Sequence, residues 1–286
     1  MATGDERDVL VATDLDGTLL DEDTYDYAPA EEALAVLRAR RALVVLATSK
    51  TEAEVIPIAR ALDLRSALIV ENGGAVIGPP GLLVSPPLGA ARWRDGFVIE
   101  LGTPRAGLVR HLVEIVEQSG ATVRGFATLS VDEVASLTQL TREAAVLACD
   151  RRYDEPFLIE DDARLPGLVD AAERRGLRVT RGGRFYHLTG PTDKGLALQA
   201  LLDAMRAAGL HFTTIGLGDS ANDLALLATV ERPVIIPRPG GFLDRELLHG
   251  LPHAERAPAP GPGGWNAAVL TILAGGALPT VGELAR

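Results

Sequence analysis

Up to Val70, short unbroken apolar runs alternate with segments of helical spacing, a rhythm that few folds accept. Val9-Leu10-Val11-Ala12 runs straight into an acidic turn at Asp14, as a buried strand feeding a loop does. Glu31 to Arg41 follows, with Ala33, Leu34 and Leu37 at helical spacing and Pro29 near the start, where proline is tolerated. Leu43 to Ala47 repeats the strand pattern and ends at Thr48-Ser49-Lys50. Thr51 to Leu62 then reads as helix and Ala67 to Val70 as strand. Strand, helix, strand, helix, strand predicts a parallel sheet with crossover helices.

The rhythm breaks where Pro79, Pro80, Gly81, Pro86, Pro87 and Gly89 cluster, which marks a boundary. Beyond it the chain predicts a strand near Phe97, a helix from Pro104 to Gln118 and a Ser130-x-x-Glu133 capping box opening another helix. Helical sequence continues over Thr141 to Ala148, followed by a strand at Phe157-Leu158-Ile159 and a helix from Ala163 to Arg175. Two short strands, Leu177 to Thr180 and Arg184 to Leu188, complete a mixed α+β segment. The first pattern resumes after Gly190. A helix spans Asp193 to Arg206, a strand Phe212 to Leu217, a short helix lies after Asn222, and a strand spans Pro233 to Ile236. Pro258 to Gly264 reads as loop and Trp265 onward as a final helix. The expected architecture is therefore α/β: a Rossmann-like parallel core over 1–83 and 188–286, interrupted by an α+β insert over 84–187.

A chain of 286 residues with 47% apolar content can bury a full core, and with only 4% aromatics that core is built from Leu, Val, Ala and Ile. A net charge of −11 argues against nucleic acid or an anionic membrane as partner, since both want a basic face. No apolar run approaches the ~18 residues that span a bilayer. The single cysteine, Cys149, cannot form an internal disulfide, and the first residues are acidic and polar, so a soluble cytoplasmic protein is expected. Only two of the 28 basic residues are lysine, Lys50 and Lys194.

Ligand sites of open parallel sheets lie beyond the carboxyl ends of the strands. Four features fall at strand ends or helix starts: Asp14 with Asp16, Thr48, Lys194, and Asp219 with Asp223. Singly each has an ordinary structural explanation, such as an Asx turn or a helix cap. Together, in this order, they predict a site. Three or four converging carboxylates need a cation to coexist, and Mg2+ suits oxygen ligands and phosphate.

The set Asp14-Leu15-Asp16-Gly17-Thr18, Thr48 after a strand, a later Lys194 and Gly218-Asp219-Ser220-Ala221-Asn222-Asp223 resembles the haloacid dehalogenase superfamily. The resemblance implies that Asp14 attacks phosphorus and forms an aspartyl phosphate. It makes Asp16 the general acid and base, and Thr48 and Lys194 the ligands of the phosphoryl oxygens. It places Mg2+ on Asp14, the main-chain carbonyl of Asp16 and Asp219, with Asp223 and Asn222 in support. The second aspartate of the first motif favours phosphate esters over carbon–halogen bonds, and the insert becomes a specificity cap.

Thr48-Ser49-Lys50-Thr51, Glu71-Asn72-Gly73-Gly74-Ala75, Arg152-Tyr153-Asp154-Glu155-Pro156-Phe157 and Gly183-Arg184-Phe185 are similar to segments of mannosyl-3-phosphoglycerate phosphatases, whose product, mannosylglycerate, is a compatible solute. A small phosphorylated glycoside is the substrate this implies, and the glucosyl analogue or another sugar phosphate remains open. The candidates for substrate contact are Ser49, Lys50, Asn72, Gly73, Arg152, Arg184 and Asn222. Arg suits bidentate recognition of a carboxylate, and Gly182-Gly183 permits close backbone approach. A mutase and a non-catalytic phosphoester-binding module are the other readings. The intact motif set disfavours the module.

Overall fold

The computed structural model describes residues 8–182 and 185–284. Strands β1 (Asp8–Thr13), β2 (Leu43–Ala47) and β3 (Ser66–Val70) form where the sequence is apolar without alternation, because both faces of their sheet are covered. Alternate residues separate between the two sides. Val11, Val44 and Leu46 pack with Leu34, Leu37, Trp265 and Val269, under helices Glu31–Ala39, Glu52–Leu62 and Gly261–Leu273. Leu10, Ala12, Val45 and Ala47 pack with Ala197, Leu198, Leu201 and Met205 of helix Lys194–Ala207.

After β3 come β4 (Ala75–Gly78), β5 (Ala91–Trp93) and β6 (Gly96–Glu100). The insert contributes β7 (Val123–Gly125), β8 (Asp154–Ile159), β9 (Arg178–Gly182) and β10 (Phe185–Thr189). The chain returns with β11 (Phe212–Gly218), β12 (Arg232–Ile235) and β13 (Glu255–Arg256). The large sheet has the order β13-β12-β11-β1-β2-β3-β4-β6-β5. It is parallel from β13 to β3 and antiparallel from β3 to β5. From β1 the chain builds outward through β2 and β3 on one side, and later through β11, β12 and β13 on the other. That reversal is a topological switch point, where a crevice opens beyond the strand ends.

The insert's sheet has the order β7-β8-β10-β9 and is antiparallel throughout. Helices Arg105–Ser119 and Leu165–Glu173 cover the face bearing Phe157 and Leu188. Helices Val131–Thr138 and Arg142–Cys149 pack around Phe126, Leu158 and Phe185, residues of the opposite register. Among the described residues no helix is long and apolar enough to cross a membrane.

Three expectations need correction. The strand at Phe97 belongs to the large sheet: β6 pairs with β4 and β5 with β6, so a boundary at residue 84 would cut that sheet. Phe97 is buried against Gly78, where a Cβ would come within 2.1 Å of the ring. The Pro/Gly-rich stretch is thus a connection within the sheet. At the other end, β10 runs to Thr189, past the expected limit at 187. The last helix starts at Gly261, not Trp265, since Pro262 falls in its first turn, where its missing N–H costs nothing.

Candidate active site

The switch point places the first motif. Asp14 follows β1 and its N–H still donates to Leu217 O at 3.0 Å, so the ladder with β11 runs on into the turn. Trp265, fully buried, donates Nε1–H to Thr13 Oγ1 at 3.0 Å, and Thr13 Oγ1 donates to Asp14 O at 2.8 Å. The turn closes through Thr18 N–H and Leu20 N–H on Leu15 O. Gly17 adopts φ +73°, and a Cβ there would lie 3.3 Å from Asp219 Oδ2, so glycine serves both the backbone and the approach of the second acidic loop.

Asp219 and Asp223 follow β11. Asp223 Oδ2 accepts the N–H groups of Asp219 and Ser220, each at 3.2 Å, which folds the loop back on itself. Lys194 opens its helix behind the N-cap Asp193, whose Oδ1 accepts Leu196 N–H at 2.8 Å. The lysine is 1% exposed, and its Nζ lies 2.6 Å from Asp14 Oδ1 and 2.7 Å from Asp223 Oδ1. Thr48, also buried, follows β2; its N–H donates to Ile69 O and its Oγ1 accepts Lys50 N–H at 3.1 Å. Lys50 Nζ pairs with Asp16 Oδ2 at 2.8 Å and lies over the Tyr25 ring, while the buried Asp16 Oδ1 has no partner among the described residues. Both lysines of the chain therefore face the first motif.

The electrostatics of this group are those of crowded acids. Burial, then the Asp223 carboxylate, push Asp14 well above the usual carboxylate range, against the pull of Lys194. Burial and Asp223 likewise push Asp219 up to about 7, opposed by Arg238. Burial works against the charge on Lys194, but Asp14 and Asp223 outweigh it and hold the ammonium above its ordinary value. Three carboxylates set against the Lys194 ammonium and the Arg238 guanidinium leave a negative excess that a divalent cation relieves. Ligand oxygens of Asp14, Asp219 and Asp223 lie within 4.8 Å of one another, an all-oxygen set suited to Mg2+.

The other candidates are distributed differently. Asn222 accepts from Ser220 Oγ at 2.6 Å in the turn before Asp223. Ser49 stands beside Thr48, and its carbonyl accepts from Arg151 Nη1 at 3.1 Å. Asn72 is buried, with a left-handed backbone (φ 56°), and its Nδ2 donates to Asp154 Oδ2 at 3.2 Å. Gly73 serves packing: a Cβ would fall 2.2 Å from Asp193 O, and its carbonyl accepts Thr192 Oγ1. Arg152 pairs with Glu100 at 2.7 Å and stacks over Trp93 and Tyr153, at the seam between the two sheets. Arg184 lies outside the described residues.

Two residues of this region stand outside the candidate set. Arg238 Nε pairs with Asp219 Oδ2 at 3.3 Å and its Nη2 with Asp244 Oδ2 at 3.3 Å. Its position just beyond β12, another parallel strand with its carboxyl end at the crevice, was the available signal. Glu71 is buried and accepts the N–H groups of Arg152 and Tyr153 at 2.8–3.0 Å, tying the loop after β3 to the chain entering β8. Burial pushes its carboxyl up to about 7.

Comparison with known proteins agrees with this geometry. The sequence profile of haloacid dehalogenase-like hydrolases matches residues 11–80. A glucosyl-3-phosphoglycerate/mannosyl-3-phosphoglycerate phosphatase of Methanococcoides burtonii is 36% identical over 268 residues, covering 92% of this chain and 97% of its own. A protein of the same description from Persephonella marina is 35% identical, covering 93% and 97%. The crystal structure of a haloacid dehalogenase-like hydrolase from Bacteroides thetaiotaomicron superposes with a TM-score of 0.64 at 17% identity, covering 94% and 99%, a likeness of fold. The chain belongs to the haloacid dehalogenase-like hydrolases and is a phosphoric monoester hydrolase.

Proposed function

We propose that this phosphatase hydrolyses a glycosyl-3-phosphoglycerate, the mannosyl compound first and the glucosyl compound as the alternative, to glycosylglycerate and phosphate. The observation that carries the chemistry is the buried Lys194 bridging Asp14 and Asp223, with Asp219 completing an all-oxygen cluster. The likeness to two relatives of that description extends through the insert, which supports the substrate class.

In this reading Asp14 attacks phosphorus, the bond to the glycerate oxygen breaks, and Asp16 delivers the proton to the departing alkoxide. Asp16 then takes a proton from the water that attacks the aspartyl phosphate, and Asp14 is regenerated as phosphate leaves. Lys50, ion-paired with Asp16, keeps that carboxyl next to the site, and Thr48 and Lys194 hold the phosphoryl oxygens. Mg2+ bound by Asp14, Asp219 and the Asp16 carbonyl, with Asp223 and Asn222 in support, would supply charge neutralisation and return Asp14 to the carboxylate form.

The test is phosphate release, with and without Mg2+, across mannosyl- and glucosyl-3-phosphoglycerate, sucrose phosphate and hexose phosphates. A preference for the glycosyl-phosphoglycerates, lost on chelation, is expected. Equal turnover across the panel contradicts the substrate, and full activity in chelator contradicts the metal.

A further inference from the structure

Where the insert meets the loop after β3 lies a second group of buried polar side chains that the hydrolysis steps do not use. Asp154 opens β8 with no exposure. Its Oδ2 meets His187 Nδ1 at 2.8 Å, Arg151 Nη1 at 3.1 Å and Asn72 Nδ2 at 3.2 Å. Burial works against its charge, but His187 and Arg151 outweigh it and hold the carboxyl below its usual range. The contact of Nδ1 with Asp154 fixes the ring and leaves Nε2 as its other polar atom. Two further acceptors, Asp154 Oδ1 and Asn72 Oδ1, are buried with no partner among the described residues.

The guanidinium of the group is bonded within it through Nε and Nη1. Arg151 gives Nε–H to Ala148 O, and its Nη1 faces both Ser49 O and Asp154. The two oxygens without a partner among the described residues, Asp154 Oδ1 and Asn72 Oδ1, are acceptors, a lining suited to hydroxyl groups. His187 Nε2 lies over Gly182, where a Cβ would come within 2.9 Å of it, so only glycine fits beside that edge of the ring. The same sheet face meets the catalytic end of the core. Arg178, in register with Thr189, pairs with Asp193 at 2.7 Å, next to Lys194, and Arg151 reaches the carbonyl beside Thr48.

We propose that His187, held by Asp154 and closely approached by Gly182, is a specificity-determining residue whose Nε2 hydrogen-bonds a hydroxyl of the substrate's glycosyl group. The proposal rests on the substrate class argued above. Its test uses two variants and two substrates. His187→Asn keeps an amide donor for Asp154 and deletes Nε2; Gly182→Ala keeps the imidazole and covers its edge. The readout is the ratio of kcat/KM for the preferred glycosyl-3-phosphoglycerate to kcat/KM for p-nitrophenyl phosphate, which has no sugar. Loss of one hydrogen bond predicts a fall in that ratio of at least about three- to tenfold, carried by KM. An unchanged ratio, or an equal fall on both substrates as a purely structural role would give, overturns the subsite while leaving the wild-type preference in place. Absence of that preference in the wild type ends the substrate assignment and the subsite with it.

Discussion

Lys194 Nζ lies 2.6 Å from Asp14 Oδ1, across 180 residues of sequence and with the lysine 1% exposed. A buried ammonium this close to a carboxylate is a fixed charge, held by the N-capped start of its helix rather than by a flexible surface side chain. Lys194→Met removes the only cation bonded to Asp14 among the described residues. Breaking a buried pair this way costs about 3–5 kcal/mol. Denaturant unfolding checks the loss, and a change below about 1 kcal/mol would show the pair to be structurally idle.

Asp14→Asn retains the shape of the turn and removes the nucleophile. Turnover is expected to fall by at least about a thousandfold while the fold, read by circular dichroism, stays intact. Residual turnover near the wild-type rate would assign the attack elsewhere.

Gly73 and Gly81 separate close approach from backbone strain. Both have positive φ, but a Cβ on Gly73 would lie 2.2 Å from Asp193 O, whereas one on Gly81 meets nothing within 4 Å. Gly81→Ala should cost about 1 kcal/mol. Gly73→Ala should cost more and should lower activity as well, because it displaces the residue that caps the Lys194 helix. Thermal unfolding and turnover of both variants check this; equal losses would contradict it.

Glu71 predicts a pH dependence of stability. Its folded carboxyl is pushed up to about 7 by burial, so the folded state holds a proton more tightly than the unfolded chain does. The resulting stabilisation is fully present below about pH 4.5 and is lost as pH rises through about 7, with a slope of at most ~1.4 kcal/mol per pH unit. Glu71→Gln should flatten the stability curve over that window relative to wild type. Parallel curves for the two proteins would contradict the assignment.

Much of the core site was legible because its chemistry is short-range. Asp14, Thr48, Asp219 and Asp223 each stand just beyond a parallel strand, and an apolar run ending in such residues announces itself locally. The harder matters depended on tertiary contact. A Pro/Gly cluster looks the same whether it leaves a domain or turns back into a sheet, which is why the strand at Phe97 was expected in the insert. Arg152 carried the right chemistry for a carboxylate, but Trp93, Tyr153 and Glu100 claim it, and nothing near it in sequence foretells those partners. Arg238 and the Asp154–His187 pair were hidden for the same reason: their meaning lies in what they touch across the fold.

Wild-type enzyme mixed with Mg2+ and a glycosyl-3-phosphoglycerate labelled in its phosphoryl group, quenched in acid within one turnover and digested, tests the account most directly. The account predicts label on the peptide containing Asp14, absent from the Asp14→Asn variant. Turnover without labelled peptide, or label on another residue, would contradict it.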